Sequence, residues 1–502
     1  MAINNNQESL ARALTYASAR EQAQALAQGR VRAIELLEHS LARIDRYDGA
    51  INAVAVRDDV RARQAAVAAD KLLAQGVRQP LLGVPITVKE SFDVQGLYTT
   101  SGNPAYADNL AARDAHAVGA LRAAGAVILG KTNVPLALAD LQSYNALHGI
   151  CRNPWDLERT PGGSSGGSAA ALAAGYTALE LGSDIGGSIR IPAHFTGVFG
   201  HKSTYGLISM RGTSVPPGRV ADRDLGVAGP LARSAADLDL ALSLLLNLEP
   251  LARKAWCVSL PPARHLDLAG FRVLLLDQWP GAPRSLSEQL VVDRVARHLH
   301  ASGAQVMGAA DLPAGLLPDL PLAHRVYRSL IGSSLATPPK LSEAAQRMLE
   351  ALAPSDESAD AAWLRAPTLS HRDWLMNSEL RHRMREQWER LFETIDVVVT
   401  PVAPTPAFQH NHTEPKDQRT YPVAFEDGIH AVRFMDLFHW AGLPVMPGLP
   451  ATSFPVGLDD DGLPVSAQAM GAYLEDRTTI AFAGLMEKAL GGFQVPPGYA
   501  PD

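Results

Sequence analysis

Thr160-Pro-Gly-Gly-Ser-Ser-Gly-Gly-Ser-Ala-Ala-Ala-Leu-Ala-Ala-Gly175 is the stretch on which the reading of this chain turns. Four glycines bracket Ser164 and Ser165, and an alanine-rich segment follows at once. Glycine lets a backbone turn tightly and leaves room for a ligand, and alanine lets a helix pack close to a sheet. Alone, the block fits a plain loop-to-helix turn as well as it fits an active-site loop.

A second turn of the same kind follows in Leu181-Gly-Ser-Asp-Ile-Gly-Gly-Ser188-Ile-Arg-Ile-Pro192, and the residues after it are expected to open a short helix. Successive backbone N–H groups at such a turn point into one concavity and can hold an oxyanion, each donor being worth about 2.7–4 kcal/mol. A serine there sits beside its own oxyanion hole, but a nucleophile also needs a base. No histidine with an acidic partner stands near either loop. Upstream, Pro80-Leu-Leu-Gly-Val-Pro-Ile-Thr-Val-Lys89 reads as a short buried strand that ends on a lysine, and Lys89 is the candidate base.

Outward from these segments the chain alternates helix and strand. Ile34, Leu37, Leu41 and Ile44 recur at helical spacing within a stretch from about 18 to 48, and a second helix is expected over 58–74. Residues 119–133 read as helix, glycine stop and strand. Strands are expected at 271–276 and 396–400, and long helices near 286–302 and 370–393. The alternation argues for a layered α/β fold, and the lack of a clean linker for a single large domain over 1–502. Within it, 1–75 forms a helical N-terminal part, 76–250 the catalytic core, 250–400 a peripheral helical cover, and 400–502 a return to the core.

Composition narrows the function. Of 502 residues 47% are hydrophobic and 19% charged, and the net charge is −7 with no basic runs, which argues against a nucleic-acid partner. No apolar run reaches the roughly 18 residues of a membrane span, and the N-terminus lacks a secretory pattern, so a cytoplasmic protein with no membrane association is expected. The two cysteines, Cys151 and Cys257, are not spaced as a redox or zinc pair and are expected to be buried. The histidines show no metal-binding spacing, and neither a metal nor any other cofactor is indicated.

Taken together, the segments resemble the amidase signature hydrolases. The resemblance runs through Gly83 to Lys89, Gly130-Lys-Thr-Asn133, Asn153-Pro-Trp155, both serine loops and Gly197-Val-Phe-Gly-His-Lys-Ser-Thr-Tyr-Gly206, and resumes at Ala441-Gly-Leu-Pro444 and Asp460-Asp-Gly-Leu-Pro464. It implies a mixed β-sheet core covered by helices on both faces and a Ser-cisSer-Lys triad. In that triad Lys89 is the neutral base, Ser164 the relay serine next to a cis peptide bond, and Ser188 the nucleophile. The N–H groups of Ile185, Gly186, Gly187 and Ser188 are the implied oxyanion hole. Ser165, Asp184 and Arg190 are implied supports, and Leu138 falls near the substrate.

The implied activity is hydrolysis of a small-molecule carboxylic amide through an acyl-enzyme, with carbamate and ester turnover also open. The aromatic residues Tyr144, Phe425, Phe434, Phe438 and Trp440 suggest a partly apolar pocket. Two rivals stand beside this reading. Gly162-Gly-Ser-Ser-Gly166 also fits the nucleophile elbow of an α/β-hydrolase esterase, with Ser164 as nucleophile, although Arg159-Thr-Pro161 is a poor preceding strand. The other is the ammonia-delivering component of glutamyl-tRNA amidotransferase, its A subunit, which works on glutamine; His201-Lys-Ser stands where that protein resembles Leu-Lys-Pro. Oligomeric state, a homodimer included, is left open.

Overall fold

The computed structural model describes residues 10–213, 216–246, 249, 251–335 and 343–501. In chain order the first strands are β1 (Val54–Arg57), β2 (Pro85–Lys89), β3 (Val127–Thr132), the hairpin β4 and β5 (Tyr144–Asn145 and Gly149–Ile150), β6 (Leu179–Asp184), β7 (Phe199–Lys202) and β8 (Val227–Ala232). There follow β9 (Arg272–Leu275), β10 (Gln305–Met307), β11 (Val397–Pro401), the hairpin β12 and β13 (Thr420–Phe425 and Gly428–Arg433), β14 (Ala451–Leu458) and β15 (Pro464–Met470).

Eleven of these form one sheet in the order β1-β3-β2-β6-β8-β7-β14-β15-β11-β9-β10. It is mixed: β2 runs parallel to β3 and β6, and β9 parallel to β10 and β11, while the other pairs are antiparallel. Central strands read as continuous apolar runs because both faces are covered. In β11, Val397 and Val399 join a core with Val291 and Val295 of the helix Leu286–Ala301. Val398, pointing the other way, packs with Trp388 and Leu391 of the helix His371–Thr394.

The sheet positions the serine loops. β2 and β6 are parallel neighbours in register Val88↔Leu181, so their carboxyl ends emerge side by side. Ligand crevices in α/β sheets lie at such ends. The alanine-rich helix Gly166–Ala173 is buried along its whole length. Its close approach requires glycine at one point: a Cβ on Gly167 would overlap the backbone of Asn133.

Three expectations are corrected. The strand ending at Lys89 starts only at Pro85; residues 80–83 turn, with Gly83 at φ +86°, a conformation that suits glycine. Residues 250–400 are more than cover, since they supply β9, β10 and most of β11; these apolar runs find parallel partners within the segment itself. Cys151 is buried, but Cys257 is exposed, because it lies on an irregular segment after a short 3₁₀ turn.

Candidate active site

Lys89 closes β2 with no exposed surface. Its Nζ donates to Ser164 Oγ at 2.7 Å, to Ser183 Oγ at 3.0 Å and to Ser183 O at 3.3 Å. Burial lowers its pKa to about 7; the Arg223 charge adds to this, and the Asp184 carboxylate opposes it. Lys89 therefore exchanges between charged and neutral near neutrality while in contact with a serine hydroxyl.

Ser164 is 2% exposed, and the peptide bond between Gly163 and Ser164 is cis. The loop leaves little space around it: a Cβ on Gly163 would lie 2.5 Å from Asp140 O, and one on Gly166 would lie 2.5 Å from Ser143 Oγ. Ser143 Oγ donates to Gly162 O at 3.0 Å and accepts the Gly166 N–H at 3.1 Å, so the 138–145 segment braces the serine block. No strand precedes Ser164; residues 157–163 are turn and loop apart from a single bridge of Arg159 to Gln409, so the strand of an α/β-hydrolase elbow is missing here.

Ser188 follows β6 and precedes the helix Arg190–Thr196. Its carbonyl accepts the Ser165 N–H at 3.1 Å, which ties the two serine loops together, and Ser165 Oγ donates to Ser183 O at 3.4 Å. Asp184 holds the turn: its carboxylate accepts from the Gly187 N–H at 2.7 Å, the Ile189 N–H at 3.1 Å, and Arg190 Nε and Nη2 at 3.1 and 3.0 Å. Burial pushes this carboxyl up, but the Arg190 charge and these hydrogen bonds more than offset it and hold it below the usual carboxylate range. Arg190 Nη1 donates in turn to Gln468 Oε1 on β15 at 2.7 Å.

This arrangement changes the expected oxyanion hole. The Gly187 N–H is directed at Asp184, whereas the N–H groups of Ile185, Gly186 and Ser188 have no acceptor among the described residues. The turn, with Gly187 at φ +106°, rotates one of the four donors inward to fix the loop and leaves three free.

Other expected residues are distributed unevenly. Leu138 is half-buried at φ 62°, at the start of the segment that braces Ser164. Tyr144 is engaged with the 412–419 segment: its hydroxyl accepts from Arg419 Nη2 at 2.8 Å, and its ring stacks on His412 at 3.8 Å. Phe438 lies beside Gly186, 3.8 Å from where a Cβ would sit. Phe425 and Trp440 line a separate cavity of about 760 Å³ with Trp279 and His439, and Phe434 is buried against Tyr421 and Phe438. Two residues at the loops went unread. Ser183 was visible one position before Asp184. Tyr327 comes from the distant helix Leu320–Ser334, and no motif marks it.

A mixed α/β sheet with two glycine-serine loops at the carboxyl end of parallel strands, and a buried lysine on one serine, defines a hydrolytic α/β enzyme class. The Amidase family model matches residues 35–480, and the chain belongs to that family. It is a hydrolase of the amidase signature type, acting on amides. The chain is 34% identical to the putative amidase AmiB2 of Mycobacterium bovis over 95% of this chain and 96% of that one. It is 31% identical to the glutamyl-tRNA(Gln) amidotransferase A subunit from an Anaeromyxobacter species, over 95% and 97%. The structure of 6-aminohexanoate cyclic dimer hydrolase, complexed with substrate, superposes with a TM-score of 0.74 at 25% identity, covering 97% of this chain and 99% of that one. Among the described residues no helix is long and apolar enough to cross a membrane, and no cluster of His, Cys, Asp and Glu could hold a metal ion.

Proposed function

We propose that the protein is a stand-alone amidase that cleaves carboxylic amides to acid and amine through an acyl-enzyme on Ser188. The single observation that carries this reading is the 2.7 Å contact between a fully buried Lys89 Nζ and Ser164 Oγ. A neutral lysine accepts a proton from Ser164, which accepts one from Ser188 as Ser188 Oγ attacks the carbonyl carbon. The free N–H groups of Ile185, Gly186 and Ser188 receive the oxyanion. As the C–N bond breaks, Ser164 returns its proton to the leaving nitrogen. Water then attacks the ester by the same relay and releases the acid. Ser165, Asp184 and Arg190 keep the two loops in register.

The aromatic and aliphatic side chains near Gly186 favour small aryl or alkyl amides. Carbamates and esters fall within the same chemistry, and esters need less protonation of the leaving group. The test uses p-nitroacetanilide, a p-nitrophenyl ester and an aryl carbamate, with intact-mass detection of a fluorophosphonate adduct. Adduct formation on Ser188, with loss of amide turnover in Ser188→Ala, Ser164→Ala and Lys89→Ala, is expected. An adduct on Ser164, or an active Lys89→Ala enzyme, removes the triad assignment.

A further inference from the structure

A second cavity, of about 560 Å³, adjoins the carboxyl end of β2, and no residue of the serine loops lines it. Thr213, one of its lining residues, bridges to Phe92 and donates from Oγ1 to Ser91 Oγ at 3.5 Å; both partners lie within three residues of Lys89. Two guanidinium groups line the same cavity, that of Arg223, half-buried, and that of Arg219, exposed. Neither forms an ion pair among the described residues, and Arg223 Nε is buried with no hydrogen-bond partner. The buried or nearly buried arginines Arg190, Arg381 and Arg419 each hold a carboxylate instead. The acid beside Arg223 is taken: Asp224 accepts from Arg381 Nη1 at 2.6 Å and from Trp374 Nε1 at 3.1 Å. Asp222 also lines the cavity, exposed and without an ion pair among the described residues. The hydroxyls of Ser333 and Ser334 donate to Leu330 O and Ile331 O at 3.0 and 2.9 Å, which leaves the guanidiniums as the strong free side-chain donors of the described lining.

A cation drawn out of water without a partner costs free energy that a bound counter-ion offsets. Burial lowers the Arg223 pKa, and the like charge of Arg219 lowers it further, with no carboxylate acting against them. Guanidinium forks match the oxygens of a carboxylate or sulfate and hold them through paired N–H donors. We propose that this cavity is an anion-binding site, in which Arg223 with Arg219 takes an oxyanion of the carboxylate or sulfate type at the carboxyl end of β2 and so governs turnover. The charge of Arg223 acts on Lys89, and an anion bound to Arg223 weakens that influence. Two sources share this chemistry, a carboxylate carried by the amide itself and a small free anion. The effect on turnover rests on the acyl-enzyme reading above, whereas the binding does not.

Titration calorimetry of the full chain with sodium sulfate, against sodium chloride at equal ionic strength, reads the site directly. Wild type is expected to bind sulfate saturably, and Arg223→Met and Arg219→Met to bind it about 10-fold or more weakly. Arg219 is exposed, so Arg219→Met keeps the test open should Arg223→Met fail to fold. No saturable heat in wild type, or an unchanged affinity in either folded variant, overturns the proposal. Kinetics with p-nitroacetanilide then identifies the source of the anion. If sulfate raises KM and leaves kcat unchanged, it sits in the substrate's path and the occupant is the amide's own carboxylate. In that case Arg223→Met should lower kcat/KM about 10-fold for 4-acetamidobenzoate and less than about threefold for p-nitroacetanilide. If sulfate lowers kcat at saturating anilide, the occupant is a free anion acting on Lys89. Either effect is expected to vanish in both variants. Sulfate bound with neither constant changed is an adventitious ion only and overturns the proposal. Failure of the acyl-enzyme reading looks different, since then Ser188 takes up no fluorophosphonate while the heats of sulfate binding persist.

Discussion

Two lysines end strands of the same sheet, Lys89 on β2 and Lys202 on β7. Both are buried, and burial lowers the pKa of each to about 7. Their surroundings differ in one respect. Lys89 Nζ meets two serine hydroxyls, one of them in a glycine-lined loop. Lys202 Nζ donates to two backbone carbonyls, Leu449 O at 2.7 Å and Ser203 O at 3.1 Å. A carbonyl has no proton to give, so Lys202 can only tie the end of β7 to the segment that leads into β14. A depressed pKa therefore marks burial, and it becomes chemistry only where the neighbour can exchange a proton.

The sharpest way to break this comparison is to replace both lysines with methionine. Lys89→Met is expected to lower kcat by on the order of 10³-fold or more with a folded protein. Lys202→Met should leave kcat within about threefold while lowering Tm, because two buried carbonyls lose their donor at a cost of about 1–3 kcal/mol. Steady-state kinetics beside a thermal melt separates the two; equal loss of turnover in both variants would abolish the distinction.

An intermediate effect lies in the pH dependence. In the unfolded chain each lysine stays charged up to its ordinary pKa of 10.5, whereas in the fold each loses its proton near 7. Between those values the unfolded state binds more protons, so this contribution to stability rises with pH across the window and is flat below it. Either methionine variant should flatten the dependence of Tm on pH between about 7.5 and 9.5 relative to wild type. The rise of kcat/KM with a midpoint near 7, where Lys89 becomes neutral, should persist in Lys202→Met. A rate profile that loses this limb in Lys202→Met would assign the base to the wrong strand.

The smallest effect is expected at Tyr144. Its hydroxyl serves Arg419 and Glu414 on an outer loop, at 2.8 and 3.4 Å, so Tyr144→Phe should change kcat/KM for anilides by less than about threefold. A tenfold rise in KM with an unchanged Tm would instead place Tyr144 against the substrate.

What the chain discloses in advance follows the same division. Lys89, Ser164 and Ser188 stand in dense local patterns of glycine, serine and short apolar runs, and patterns of that length are readable. The strands at 272–275 and 397–401 were readable as apolar runs too, but not as sheet neighbours, because strand pairing is set by contacts far apart in sequence. The direction of the Gly187 N–H depends on the φ of one turn residue, which composition does not encode. Tyr327 is written in the same helical periodicity as its buried neighbours Ala323 and Leu330. Such a pattern identifies the face of a helix that turns inward, and it cannot say that one hydroxyl on that face lacks a partner.

The two serine loops thus belong to one stretch of chain, residues 160–192, and the wall opposite Gly186 to another. Gly163, Gly166 and Gly167 meet backbone or a short serine side chain with no room to adjust, so that stretch tolerates almost no variation. The helix Leu320–Ser334 presents side-chain tips instead, and those can be exchanged one at a time. A methyl group added at Gly186 would therefore meet the tips of Tyr327 and Ile331, which can give way, whereas one added at Gly163 or Gly167 would meet backbone, which cannot.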